Sequence, residues 1–219
     1  MIYFKHIGQS CWLGGYLNEF FPEKGTFVEI GVGNIIAHDY VSNPEPWQKM
    51  HWKDLPILGS NTIELLQNGW NGHYIDPEEK FLDQAKLLSP TSDKIKTLAV
   101  GCGSTFSKGT LGVGESFLNP DINSNLPWIG KKHQIVPTRE AFYRLDVPES
   151  FDFLSIDVEG YEIEVLDGLI NSPYKAKAII IETNHVGLMS VMSHPYISSY
   201  KLVRHDNLNA LLIKNESST

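Results

Sequence analysis

The stretch Phe151–Leu169 constrains this chain most. It opens as an apolar strand, Phe153-Leu154-Ser155-Ile156, sets Asp157 and Glu159 where that strand ends, and passes through Gly160 into a helical pattern from Tyr161 to Ile170. A sheet of alternating strands and helices puts its ligand chemistry at the carboxyl ends of its strands. Acids at such an end are partly desolvated beside a core, which costs stability and points to a site. The same two acids also read as a helix start, capping the first turn and facing its positive end. The stretch alone leaves both readings open.

The rest of the chain repeats the unit. Strands are expected over Gly25–Gly31, Gly72–Asp76, Ile95–Val100 and Ala178–Glu182. Helices are expected over Cys11–Phe21, Thr62–Asn68, Glu78–Leu88 and Arg139–Tyr143. In Glu78–Leu88 the apolar positions Phe81, Leu82, Ala85 and Leu88 share one face. Two closing strands, Tyr200–His205 and Ala210–Lys214, flank the turn residues Asp206–Asn209. Such alternation predicts a mostly parallel sheet with right-handed crossovers, closed by an antiparallel hairpin. Residues 34–59 have no clean period, and residues 102–137, rich in Gly, Ser, Asn and Pro, read as a loop or small irregular insertion.

At 219 residues the chain fits one domain, 1–219, with a full core. Its formal net charge of -8 argues against a broad nucleic-acid surface, leaving at most a local basic patch at Lys131-Lys132-His133. Cys11 and Cys102 are far apart and read as unpaired thiols rather than a metal pair. The first residues lack a secretory pattern, and no apolar run is long enough to span a membrane, so a cytoplasmic protein is expected. Oligomeric state is left open.

The first strand leads into Glu29-Ile30-Gly31-Val32-Gly33. Glycines there let the backbone turn tightly and approach a ligand. A dinucleotide fingerprint would need a third glycine where Ile36 stands. Glu29 would repel a pyrophosphate but suits a ligand carrying an ammonium or a sulfonium, and S-adenosylmethionine carries both. Asp76, ending the second strand, reads either as a ribose-hydroxyl acceptor or as an Asx-type turn with Pro77. Leu98–Gly101 would flank an adenine or simply pack in the core.

These pieces, taken in order, resemble the FkbM-type methyltransferases. The resemblance rests on Gly8-Gln9-Ser10, Gly25–Gly31, Gly59–Thr62, Gly69–Gly72, Ile75–Pro77, Ala99–Gly101, Ile156–Gly160 with Glu162 and Val165-Leu166, and Ile181-Glu182. It covers roughly residues 8–33, 59–101 and 136–213. It implies a Rossmann-like, class I, S-adenosylmethionine-dependent sandwich with a seven-stranded sheet. The activity implied is O-methylation of a sugar or another small hydroxylated metabolite. By position, Glu29, Gly31, Gly33, Ser60, Asn61, Asp76, Ala99 and Asp157 would line the cofactor, with Asp157 and Glu159 at the methyl-transfer end. Two departures, the insertions at about 34–59 and 102–137, bear on the acceptor rather than on the cofactor.

Methyl transfer to an alcohol needs alignment, water exclusion and help in removing a proton. The candidates are Asp157, Glu159, Glu182 and His185. His185 titrates near neutral pH when unperturbed, and also reads as a surface or capping histidine. Asp157, Glu182 and Asn184 are oxygen donors at strand ends with the chemistry to hold Mg²⁺. In the first insertion, Trp47 and Trp52 either stack on a ligand under a closing lid or anchor the loop, while His38, Asp39 and His51 have no metal spacing. Two other readings stand beside this one: a nicotinamide-dependent oxidoreductase, and a non-catalytic carbohydrate- or partner-binding module on the same fold.

Overall fold

A computed structural model describes residues 24–33, 35–36, 60–112 and 130–215. The expected helix over Cys11–Phe21, the tryptophans and histidines of the first insertion, and Cys11 lie outside the described residues.

Ten strands are described. They are β1 (Thr26–Ile30), β2 (Asn71–Asp76), β3 (Ile95–Ala99), β4 (Gly101–Gly103), β5 (Ser107–Thr110), β6 (Lys132–Pro137), β7 (Ser150–Ile156), β8 (Lys175–Glu182), β9 (Tyr200–His205) and β10 (Asn209–Lys214). The helices are α1 (Ile63–Gln67), α2 (Glu79–Leu88), α3 (Thr138–Arg144), α4 (Glu162–Asp167) and α5 (Leu188–Met192).

Seven strands form one sheet in the order β3-β2-β1-β7-β8-β10-β9. The first five run parallel, and β10 pairs antiparallel with both β8 and β9. The fold is therefore the expected α/β sandwich with a mostly parallel seven-stranded sheet and a closing antiparallel hairpin.

The side-chain period of two divides the core cleanly. Val28, Ile30, Leu154, Ile156, Ile179 and Ile181 face one apolar layer, which holds Phe142 of α3 and Val165 and Leu166 of α4. Phe27, Tyr74, Phe153, Ala178 and Ile180 face the other, which holds Ile63, Leu65 and Leu66 of α1 and Leu82, Ala85 and Leu88 of α2. Strands buried on both faces must read as continuous apolar runs, and Ala178–Ile181 does. Each fully buried Leu, Ile or Phe contributes roughly 1.5–3 kcal/mol, so this double layer sets the strand ends firmly in place.

The second insertion corrects one expectation. Residues 102–137 were expected to be a loop or irregular; within the described part they form a small sheet, β4-β6-β5. β6 pairs parallel with β4 and antiparallel with β5. Two further elements, α5 and a 3-10 turn over Pro195–Ser199, fill the stretch before β9 that the sequence left unassigned.

Candidate functional site

Register fixes the site. Ile30 of β1 pairs with Ile75 of β2 on one side and Ile156 of β7 on the other. Asp76 of β2 pairs with Ala99 of β3, and Ile156 with Ile181 of β8. The next residues, Gly31, Asp157 and Glu182, therefore emerge side by side with Asp76 and Ala99 at one edge of the sheet. Ala99 is exposed.

Gly31 has φ +81, a conformation that favours glycine. Its N–H donates to the Ile75 carbonyl at 3.0 Å, and an added Cβ would fall 1.7 Å from the Asp157 carbonyl oxygen. Gly33 is also left-handed, at φ +58. Between them the chain turns so that the N–H groups of Val32 and Gly33 donate to Asp76 Oδ2 at 2.9 and 3.1 Å. The other oxygen, Oδ1, accepts the Glu78 N–H at 2.8 Å. Asp76 thus makes the Asx-type turn and also clamps the glycine turn. Burial pushes its carboxyl up to about 6, against the pull of the three N–H donors.

Glu29 points to the α1 side of the sheet and is 1% exposed. Its Oε2 accepts the Ser60 hydroxyl at 3.0 Å and the Thr62 hydroxyl, and its Oε1 accepts the Asn61 N–H at 3.0 Å. Ser60 Oγ in turn accepts the N–H groups of Thr62 and Ile63, at 3.1 and 3.0 Å, and so opens α1. Desolvation pushes the Glu29 carboxyl up to about 7, with Thr62, Ser60 and Asn61 opposing. The sequence brought Glu29, Ser60 and Asn61 forward as neighbours of a ligand. The structure joins the three directly and spends both Glu29 oxygens on holding residues 60–62.

Asn61 links the two halves of the site. Its backbone serves Glu29, and its side chain hydrogen-bonds Asp157. Asp157 also hydrogen-bonds Glu182, which is 5% exposed and whose Oε2 is buried with no hydrogen-bond partner among the described residues. Desolvation pushes both carboxyls above the ordinary carboxylate range, helped at Asp157 by repulsion from Glu159 and at Glu182 by repulsion from Asp157.

Glu159 lies at φ +54, left-handed for a non-glycine residue. Its Oε2 is 3.0 Å from His185 Nε2, and both side chains are about half exposed. The capping role open to Glu159 falls instead to Glu162, a residue not singled out as a site residue. Glu162 is fully buried, and its Oε1 accepts the N–H groups of Val158 and Gly160, each at 3.1 Å. The signal was present as a carboxylate two residues after the glycine, but in sequence it looks like any first-turn acid. Glu159, Glu182 and His185 bring donor atoms within 4.8 Å of one another. Asn184, the other oxygen donor expected there, is exposed.

Two members of the basic run Lys131-Lys132-His133 lie against one acid. Lys131 Nζ and His133 Nε2 each lie 3.2 Å from the carboxylate of Glu78, which starts α2. Burial opposes ionisation of Glu78, but His133 and Lys131 outweigh it and hold the carboxyl below its usual value. Cys102 is buried and free, its thiol pushed up to about 12 by desolvation. Among the described residues no helix is long and apolar enough to cross a membrane.

Comparison with known proteins follows the same lines. The family described as "Methyltransferase FkbM domain" matches residues 41–200. A crystal structure of methyltransferase FkbM from Methylobacillus flagellatus KT shares 14% identity and superposes with a TM-score of 0.50, over 88% of this chain and 44% of that one. The chain thus spans less than half the length of that protein. The crystal structure of monomeric WbdD, at 11% identity, covers 92% of this chain and 38% of its own, with a TM-score of 0.46. No curated protein matches the chain.

Proposed function

This chain belongs to the FkbM methyltransferase family, and we propose that it moves a methyl group from S-adenosylmethionine to a hydroxyl of a sugar or another small hydroxylated metabolite. The observation that carries this reading is the row Ala99, Asp76, Gly31, Asp157 and Glu182 at the carboxyl edge of the sheet. One end of the row suits the cofactor. Asp76 fixes the Gly31–Gly33 turn and, of its roughly four acceptor positions, uses three. The open Ala99 beside it leaves room for a flat base. Glu29 acts from behind this wall, through Ser60 and Asn61. The cofactor supplies a methyl carbon already activated by its sulfonium.

The other end of the row suits the acceptor. Asp157 is half-buried at the strand end, held by Asn61 and Glu182, and is placed to take the proton of the acceptor hydroxyl. Glu162 fixes the turn after it, so that Glu159 and His185 stand at the solvent side of the same edge. The nicotinamide reading is disfavoured by the family match and by Ile36 in place of the third glycine.

The test is direct. S-adenosylhomocysteine should bind the purified chain, and methyl-labelled S-adenosylmethionine should label a hydroxylated acceptor from a sugar and metabolite panel. Binding of NADH in place of S-adenosylhomocysteine would overturn the reading.

A further inference from the structure

We propose that Glu159, Glu182 and His185 form a binding site for a divalent transition-metal cation of the Mn²⁺–Zn²⁺ series. Glu159 lies in the turn after β7, Glu182 ends β8 and His185 lies in the turn after it, and their donor atoms lie within 4.8 Å of one another. Two ligands each about 2.1 Å from one ion stand roughly 3.0–3.5 Å apart. The Glu159–His185 pair is already at 3.0 Å. The bound of 4.8 Å on the other separations leaves the half-exposed Glu159 and His185 side chains to close on Glu182.

An exposed His–Glu pair is common on a protein surface and proves nothing alone. Glu182 is different. It is 5% exposed and hydrogen-bonds Asp157, yet its Oε2 is buried without a hydrogen-bond partner among the described residues, and the side chain reaches the same group as Glu159 and His185. A buried carboxylate oxygen left unpartnered costs stability unless a proton or a cation meets it. A cation meets it without a separate donor. Glu159 also sits at a left-handed φ of +54, a conformation that costs energy for a non-glycine residue, with its carboxylate 3.0 Å from His185.

The donor set selects the ion. Two carboxylates with one imidazole suit Mn²⁺ or Zn²⁺ better than Mg²⁺, which prefers an all-oxygen octahedron with several waters. Three protein ligands leave open positions, one of which an acceptor hydroxyl can take. The cation would then lower that hydroxyl's proton affinity beside Asp157. This catalytic role rests on the methyl-transfer reading; the cation site itself does not.

Isothermal titration of MnCl2 and of ZnCl2 into the metal-stripped full chain, without cofactor, tests the site. One ion should bind per chain, and Glu182→Gln and His185→Ala should each weaken binding at least about tenfold. No saturable binding, or wild-type affinity in either variant, overturns the proposal. His185 is exposed, so His185→Ala keeps the test open if Glu182→Gln fails to fold. S-adenosylhomocysteine binding, measured separately, distinguishes the two ideas: cofactor without cation sinks only this inference, and cation without cofactor sinks only the methyl-transfer reading.

Discussion

Gly31 and Asp157 touch through their backbones so closely that no side chain fits between them. A Cβ on Gly31 would sit 1.7 Å from the Asp157 carbonyl oxygen, at a residue whose φ is +81. Steric exclusion and backbone strain therefore act together where the Gly31–Gly33 turn meets the end of β7. Gly31→Ala should destabilise the fold by at least about 3 kcal/mol, from a forced shift of β7's end and a strained φ. Urea denaturation measures it; a loss under about 1 kcal/mol would show that the turn relaxes freely.

Glu29 predicts a pH dependence. Its folded carboxyl is raised to about 7 from 4.5, so the folded state holds the proton more tightly than the unfolded chain. That contribution is complete below about pH 4.5 and is lost as pH rises through about 7, amounting to about 3 kcal/mol. Glu29→Gln removes it. The variant's stability relative to wild type should therefore rise between pH 5 and pH 8, as read from denaturation midpoints. A constant difference across that range would mean that Glu29 does not change its protonation.

Asp76 holds the glycine turn through two N–H groups. Asp76→Ala should weaken S-adenosylhomocysteine binding by about tenfold or more, because each lost charge-assisted hydrogen bond is worth roughly 1.5–3 kcal/mol. Calorimetric affinity equal to wild type would remove Asp76 from the cofactor wall.

For Asp157 the split between constants is the readout. Asp157→Asn keeps the shape and the side-chain contacts, so cofactor affinity should change little while kcat falls at least about 100-fold. Unchanged turnover would show that the acceptor's proton leaves elsewhere.

Glu159 separates strain from function. Glu159→Gly relieves a left-handed backbone and should raise stability by roughly 0.5–1 kcal/mol, while turnover falls with the loss of its carboxylate beside His185. A thermal melt at or below that of wild type would mean that the strain is not there to release.

What the sequence showed and what it hid divide along physical lines. β1, β2, β7 and β8 are legible because strands buried on both faces carry short apolar runs, and the acids at or beside their carboxyl ends, Glu29, Asp76, Asp157 and Glu182, break those runs visibly. The small sheet was not legible. β4 and β6 pair across more than thirty residues, and Gly101-Cys102-Gly103 carries no strand pattern of its own. The partners of each acid were hidden for the same reason. That Asn61 would bridge Glu29 and Asp157, or that Glu162 would take the N–H groups of Val158 and Gly160, depends on turns folding back, which no spacing encodes.

The matched register of the parallel strands makes their carboxyl edge a ruler. Neighbouring strands lie about 4.8 Å apart, so the four steps from β3 to β8 set Ala99 and Glu182 roughly 19 Å from each other. Hydrogen-bond ladders graduate that ruler, and no loop can stretch it. Changes in the insertions therefore leave the distance between Ala99 and Glu182 unchanged.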